Sequence, residues 1–94
     1  MDRVGIAFKS PLSADEVRQR YIEPLREALH AARAGIYSNY LRQFDENDGP
    51  PEHLLVFQIH EFEAGLRLLR TTMESLGPPQ GTTLHNLNVS DPMY

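Results

Sequence analysis

The two halves of this chain follow one plan: an apolar strand pattern, a helical pattern, a glycine and a second strand pattern. The first half runs Arg3-Val4-Gly5-Ile6-Ala7-Phe8-Lys9, a helical stretch, then Gly35-Ile36-Tyr37. The second runs Leu54-Leu55-Val56-Phe57-Gln58-Ile59-His60, a helical stretch, then Gly81-Thr82-Thr83-Leu84. A βαββαβ order leaves few ways to bury two helices. The simplest is one sheet with the helices laid on it, an α+β two-layer sandwich. Ninety-four residues suffice for one such domain with a thin core. Residues 1–89 are assigned to it and 90–94 to a loose tail.

Each element carries its own signal. Val4, Ile6 and Phe8 alternate with Gly5, Ala7 and Lys9, as in a half-buried strand. Ser13-Ala14-Asp15-Glu16 has the form of a capping box, in which Ser13 accepts from the third helical amide and Glu16 reaches back to Ser13. Val17, Tyr21, Leu25, Ala28, Leu29 and Ala32 follow at helical spacing. Pro24 interrupts them by removing a backbone donor, so the helix either kinks there or divides, with Pro24 opening its second part. Gly35 reads as the helix stop.

Residues 36–44 admit two readings. Ile36, Tyr40 and Phe44 lie four apart, as on a helix, yet the tyrosines and Ile36 favour a strand. The strand is preferred. Neither of its faces alternates cleanly, which places it at a sheet edge with one face wet. Asp45-Glu46-Asn47-Asp48-Gly49-Pro50-Pro51 is a loop. The strand at 54–60 is the most apolar and should be central. Phe62, Leu66, Leu69, Met73 and Leu76 form one apolar helical stripe, closed by Gly77-Pro78-Pro79. A last strand at 82–89 turns Leu84 to one face and Leu87 and Val89 to the other.

This order of elements over residues 3–89 resembles the small ferredoxin-like single-domain proteins. The resemblance rests on the strand of Val4, Ile6 and Phe8, the helix capped at Ser13, the hairpin around Asp48-Gly49-Pro50-Pro51, and the helix ended by Gly77. It implies a four-stranded antiparallel sheet of order 4-1-3-2 with both helices on one face. Val4, Ile6, Phe8, Leu55, Phe57 and Ile59 would then lie beneath the helices, and Gly5, Ala7, Val56, Gln58 and His60 would face the other way. The small residues Gly5 and Ala7 would leave a shallow depression or admit another backbone. The resemblance also implies that two such sheets can pack face to face, as in dimeric α/β barrels, with Val56 and either Tyr40 or Leu41 as apolar contacts.

Composition and missing motifs narrow the function. The chain has no cysteine, which excludes thiolate catalysis, disulfides and cysteine-ligated metals. A net charge of −4 without a basic run argues against a nucleic-acid partner. No apolar run approaches the roughly 20 residues of a membrane span. With no secretory apolar segment near Met1, the protein is expected to be cytoplasmic, away from membranes, and the sequon Asn88-Val89-Ser90 is read as chance. There is no phosphate loop and no nucleophile elbow. Asp45, Glu46 and Asp48 lack the spacing of a calcium loop. His60, Glu61 and Glu63 would alternate between faces and make a poor metal site. Neither a metal nor another cofactor is expected.

The four histidines differ in promise. His30, among alanines on the first helix, reads as exposed or structural, and His53, at a loop-to-strand junction, as a surface residue. His60 and His85 are the acid–base candidates, each weighed against a hydrogen-bonded structural histidine. Tyr37, Asn39, Tyr40, Arg42 and Gln43 give the edge strand a composition common at protein interfaces, though an ordinary amphipathic edge would look alike. The preferred function is a non-enzymatic binding or assembly module, acting as a homodimer or on another protein. Its surface is the open sheet face and edge strand, with Tyr37, Tyr40, Arg42, Gln58 and His60 as binding residues. The alternative is a small enzyme of the dimeric α/β-barrel kind, with a pocket near His60 as catalytic base and Tyr40 or Arg42 orienting the substrate.

Overall fold

A computed structural model describes residues 1–44 and 47–87. Asp45 and Glu46, the sequon at Asn88, Val89 and the tail at 90–94 lie outside the described residues. The chain forms β1 (Asp2–Lys9), α1 (Ala14–Val17), a π-helical turn (Arg18–Ile22), α2 (Glu23–Ala31), β2 (Gly35–Gln43), β3 (Glu52–Ile59), α3 (Phe62–Leu76) and β4 (Thr83–Asn86). The sheet runs β2-β3-β1-β4 with every neighbouring pair antiparallel, which is the expected 4-1-3-2 order read from the other side. Residues 36–43 are therefore strand, and that strand is an edge. No helix among the described residues is long and apolar enough to cross a membrane.

All the helical elements lie on one face. Val4, Ile6, Phe8, Leu55, Phe57 and Ile59 point into a single core with Val17, Tyr21, Leu25 and Leu29 of the first helical arm and Leu69 and Met73 of α3. The capping box forms in full. Ser13 Oγ accepts from the Glu16 N–H at 3.2 Å, and Glu16 Oε1 accepts from the Ser13 N–H at 3.0 Å. The Ser13 N–H, with the Ser13 hydroxyl adding to it, holds the Glu16 carboxyl below its usual pKa.

Pro24 divides the arm rather than kinking it. The Glu23 N–H reaches back five residues to the Arg18 carbonyl, so the turn before Pro24 is π-helical. Pro24 then falls at the start of α2, where a missing N–H costs little. The extra residue of the π turn also re-phases the arm, so that Val17 before it and Leu25 after it both reach the core.

Gly35 is not the helix stop that the sequence suggests. The helix ends at Ala32, Arg33 takes a left-handed φ of 53°, and the Ala34 N–H closes on the Leu29 carbonyl. Gly35 instead opens β2, pressed so closely on β3 that a Cβ would collide with the Gln58 carbonyl oxygen. Its role is to give the neighbouring backbone room. Gly77 is the stop expected of it, at φ 75°, and its carbonyl accepts from Tyr21 Oη at 3.4 Å, tying the first arm to the end of α3.

The stripe on α3 has the expected period but a shifted centre. Gly65, Leu69 and Met73 are buried, whereas Phe62, Leu66 and Leu76 pack at its margin and stay partly exposed. Gly65 lets the helix approach the sheet, since a Cβ there would stand 2.7 Å from the Ile59 side chain. Two other bounds differ. β3 begins two residues before Leu54 and ends before His60, and β4 is assigned only over Thr83–Asn86.

Candidate functional site

The face of the sheet away from the helices is the first candidate. Its residues follow from the pairing register. Gly5 stands opposite Val56 on one side and His85 on the other, and Ala7 stands opposite Leu54 and Thr83. The expected depression at Gly5 is filled by the chain's own side chains. A Cβ there would lie 2.8 Å from Leu87 Cδ1 and 2.9 Å from Leu54 Cδ1, so glycine makes room for two leucines rather than for a second backbone. The open cleft lies beside them, towards β2. It has a volume of about 340 Å³ and is lined by Arg3, Ser38, Asn39, Leu41, Leu54, Val56 and Leu87.

A β-bulge decides what β2 shows to this face. Tyr37 pairs with Phe57 and Asn39 pairs with Val56, so Ser38 is an extra residue without a partner of its own in the register. Beyond it Tyr40 pairs with Leu55 and Leu41 with Leu54. Strict alternation would have sent Tyr37 and Tyr40 to opposite faces. The bulge sends both to the helix side, and leaves Ile36, Asn39 and Leu41 on the open side. Of the two expected apolar contacts it is therefore Leu41 that joins Val56. Ile36 and Leu41, at the two ends of this face of β2 with Asn39 between them, are each 53% exposed, high for aliphatic side chains.

The helix side of β2 holds a polar network that the sequence did not suggest. His53 is fully buried rather than at the surface. The early start of β3 puts it in step with Leu55 and Phe57, beneath the helices, where its ring lies 5.2 Å from Phe8. Its Nε2 is 2.9 Å from the Ser10 carbonyl and its Nδ1 is 2.7 Å from Tyr40 Oη. A carbonyl only accepts, so the Nε2 carries the proton and Nδ1 accepts from the phenol. Burial raises the Tyr40 phenol above its ordinary pKa, with the Arg42 guanidinium opposing it, which keeps the hydroxyl a donor. The two rings also stack at 5.9 Å and 8°. Tyr40→Phe is expected to leave Nδ1 without its donor and to cost about 1–3 kcal/mol in a urea melt. Tyr37→Phe, which removes a hydroxyl with no hydrogen bond among the described residues, should change stability by less than about 0.5 kcal/mol.

The structure divides the residues singled out by sequence. Gln58 lies on the open face, opposite Arg3 and Ile36. Tyr37 packs edge-on against Phe57 at 5.7 Å, and Tyr40 is held by His53, both on the helix side. Arg42 stands opposite His53, with its guanidinium 4.7 Å over the Phe44 ring. His60 is exposed just past β3, where its N–H donates to the Ala34 carbonyl at 2.8 Å. His85 sits on the open face of β4 and bonds Thr83 Oγ1 through Nε2 at 2.8 Å. His30 is exposed on α2. Leu54 and Leu87, which line the open cleft, carried a signal in their parity with Val56 and Gly5. His53 carried one in its parity with Leu55.

Together these features define a two-layer α+β sandwich with a bulged edge and one sheet face that no helix among the described residues covers. The chain matches no protein-family model, no curated protein and no solved structure.

Proposed function

We propose that this protein is a binding and assembly module, non-enzymatic, whose working surface is the sheet face away from the helices, bordered by β2, and that the face is occupied by a second copy of the same chain. The observation that carries this reading is that β2 shows two half-exposed aliphatic side chains to this face, Ile36 and Leu41, the second lining a cleft with Leu54, Val56 and Leu87. A twofold arrangement brings one apolar patch onto itself, so a single surface supplies both sides of the contact. Charge supports self-pairing. The chain is net −4, but the open face sets Arg3 and Lys9 against Glu52 and so carries no excess of acid. Two such faces meet without the repulsion that the whole chain would predict.

Size-exclusion chromatography with light scattering tests it. The wild type is expected at twice the 10.7 kDa of one chain. Leu41→Glu should shift the mass to that of one chain, because a carboxylate is then forced into an apolar contact. In the free chain the same change should cost less than about 0.5 kcal/mol, since residue 41 is half in water. A wild type that stays monomeric at about 1 mM, weaker than any ordinary specific self-association, would sink the proposal.

A further inference from the structure

We propose that the cleft between α2 and the start of β2 binds a small organic monocarboxylate with an apolar body. The cleft holds about 510 Å³ and is lined by Arg26, Glu27, His30, Gly35, Ile36 and Tyr37. That volume falls within the range of small-molecule sites, about 300–1,000 Å³. Its polar side chains border one opening and are largely unspent. Arg26 and His30 stand one turn apart on α2, so their side chains lie next to each other. Arg26 gives only Nη2 to Glu23, at 2.8 Å, which leaves its Nε–H and Nη1–H groups for another acceptor. Neither the His30 ring nor the Tyr37 hydroxyl has a hydrogen-bond partner among the described residues. Burial raises the Tyr37 phenol pKa, with Arg18 opposing, so it remains a donor, and its edge-on packing against Phe57 fixes where that donor points.

The chemistry of these groups selects the ligand. A planar guanidinium fits a carboxylate in its own plane, and the imidazole one turn along α2 adds a further donor. Glu27 on the same wall offsets part of the Arg26 charge, which disfavours a dianion such as phosphate. Ile36 and the Tyr37 ring supply an apolar wall for the rest of the molecule. This site adjoins the self-association surface: Ile36 takes part in both, whereas Leu41 does not line this cleft.

An amide NMR titration with sodium benzoate, against sodium chloride of equal ionic strength, tests the assignment. Saturable shifts are expected at Arg26, His30, Ile36 and Tyr37, with a dissociation constant in the millimolar range. They should persist in Leu41→Glu and weaken about tenfold or more in Arg26→Gln, whose melting temperature should match the wild type because Arg26 is exposed. Absence of saturable shifts up to about 50 mM benzoate, undiminished binding in Arg26→Gln, inorganic phosphate binding as tightly as benzoate, or loss of binding in Leu41→Glu would each overturn it.

Discussion

Leu69→Ala is expected to remove about 2–5 kcal/mol of stability, from a domain that has only about 5–10 kcal/mol to lose. Leu69 is 1% exposed at the middle of α3 and packs in the one core that joins α3, the first helical arm and the sheet. Its truncation takes away the transfer energy of three carbon atoms and opens a void that a helix pinned at Gly65 against Ile59 cannot close. Leu66→Ala should cost less, because Leu66 lies at the margin of the stripe and already touches water. Gln58→Ala, on the open face, should cost less than about 1 kcal/mol. Urea melts of the three variants give the order directly. A Gln58→Ala variant more damaged than Leu69→Ala would reverse the assignment of the two sheet faces.

Gly35→Ala is expected to cost about 3 kcal/mol or more, although it adds a single methyl group. The obstacle is the Gln58 carbonyl oxygen, an atom of the neighbouring backbone that no rotamer change can move aside. The pairing of β2 with β3 begins at this position, Gly35 opposite Ile59, so relief requires opening the end of that ladder. Gly77→Ala is the informative comparison. Nothing stands within 4 Å of a Cβ at Gly77, and only its left-handed φ of 75° resists a side chain. That conformational cost is about 1 kcal/mol. Since 1 kcal/mol moves the melting temperature of a domain this size by about 4–8 °C, thermal melts separate the two glycines clearly.

The architecture was legible because period and order survive translation from sequence to fold. The alternation of Val4, Ile6 and Phe8 and the Ser13 capping box depend on residues close in sequence and stand as read, and the stripe from Phe62 to Leu76 keeps its period with its centre moved onto Gly65, Leu69 and Met73. The failures have a common physical origin in contacts between distant residues. Gly35 looked like a terminator because its demand for space comes from β3, more than twenty residues away. His53 looked exposed because its partners, Ser10 and Tyr40, reach it only after the sheet has formed. The candidate surface was half legible. Gly5, Val56 and Gln58 took the open face from parity alone, but the one-residue insertion at Ser38 broke that parity along β2 and moved Tyr40 away from it. The π turn before Pro24 is the helical form of the same event, one residue added so that both ends of an element keep their apolar side inward.

The bulge at Ser38 also bears on how far the proposed self-association can go. A regular nine-residue rim would offer an even comb of amides and carbonyls on which a further strand could add, and each added strand would expose the same comb again. Such growth has no natural stoichiometry and ends in ribbons. With its spacing interrupted after Tyr37, the rim of β2 presents no long run that a straight strand could match. Contact through the flat of the sheet behaves differently, since one partner uses the surface up and the association stops at two.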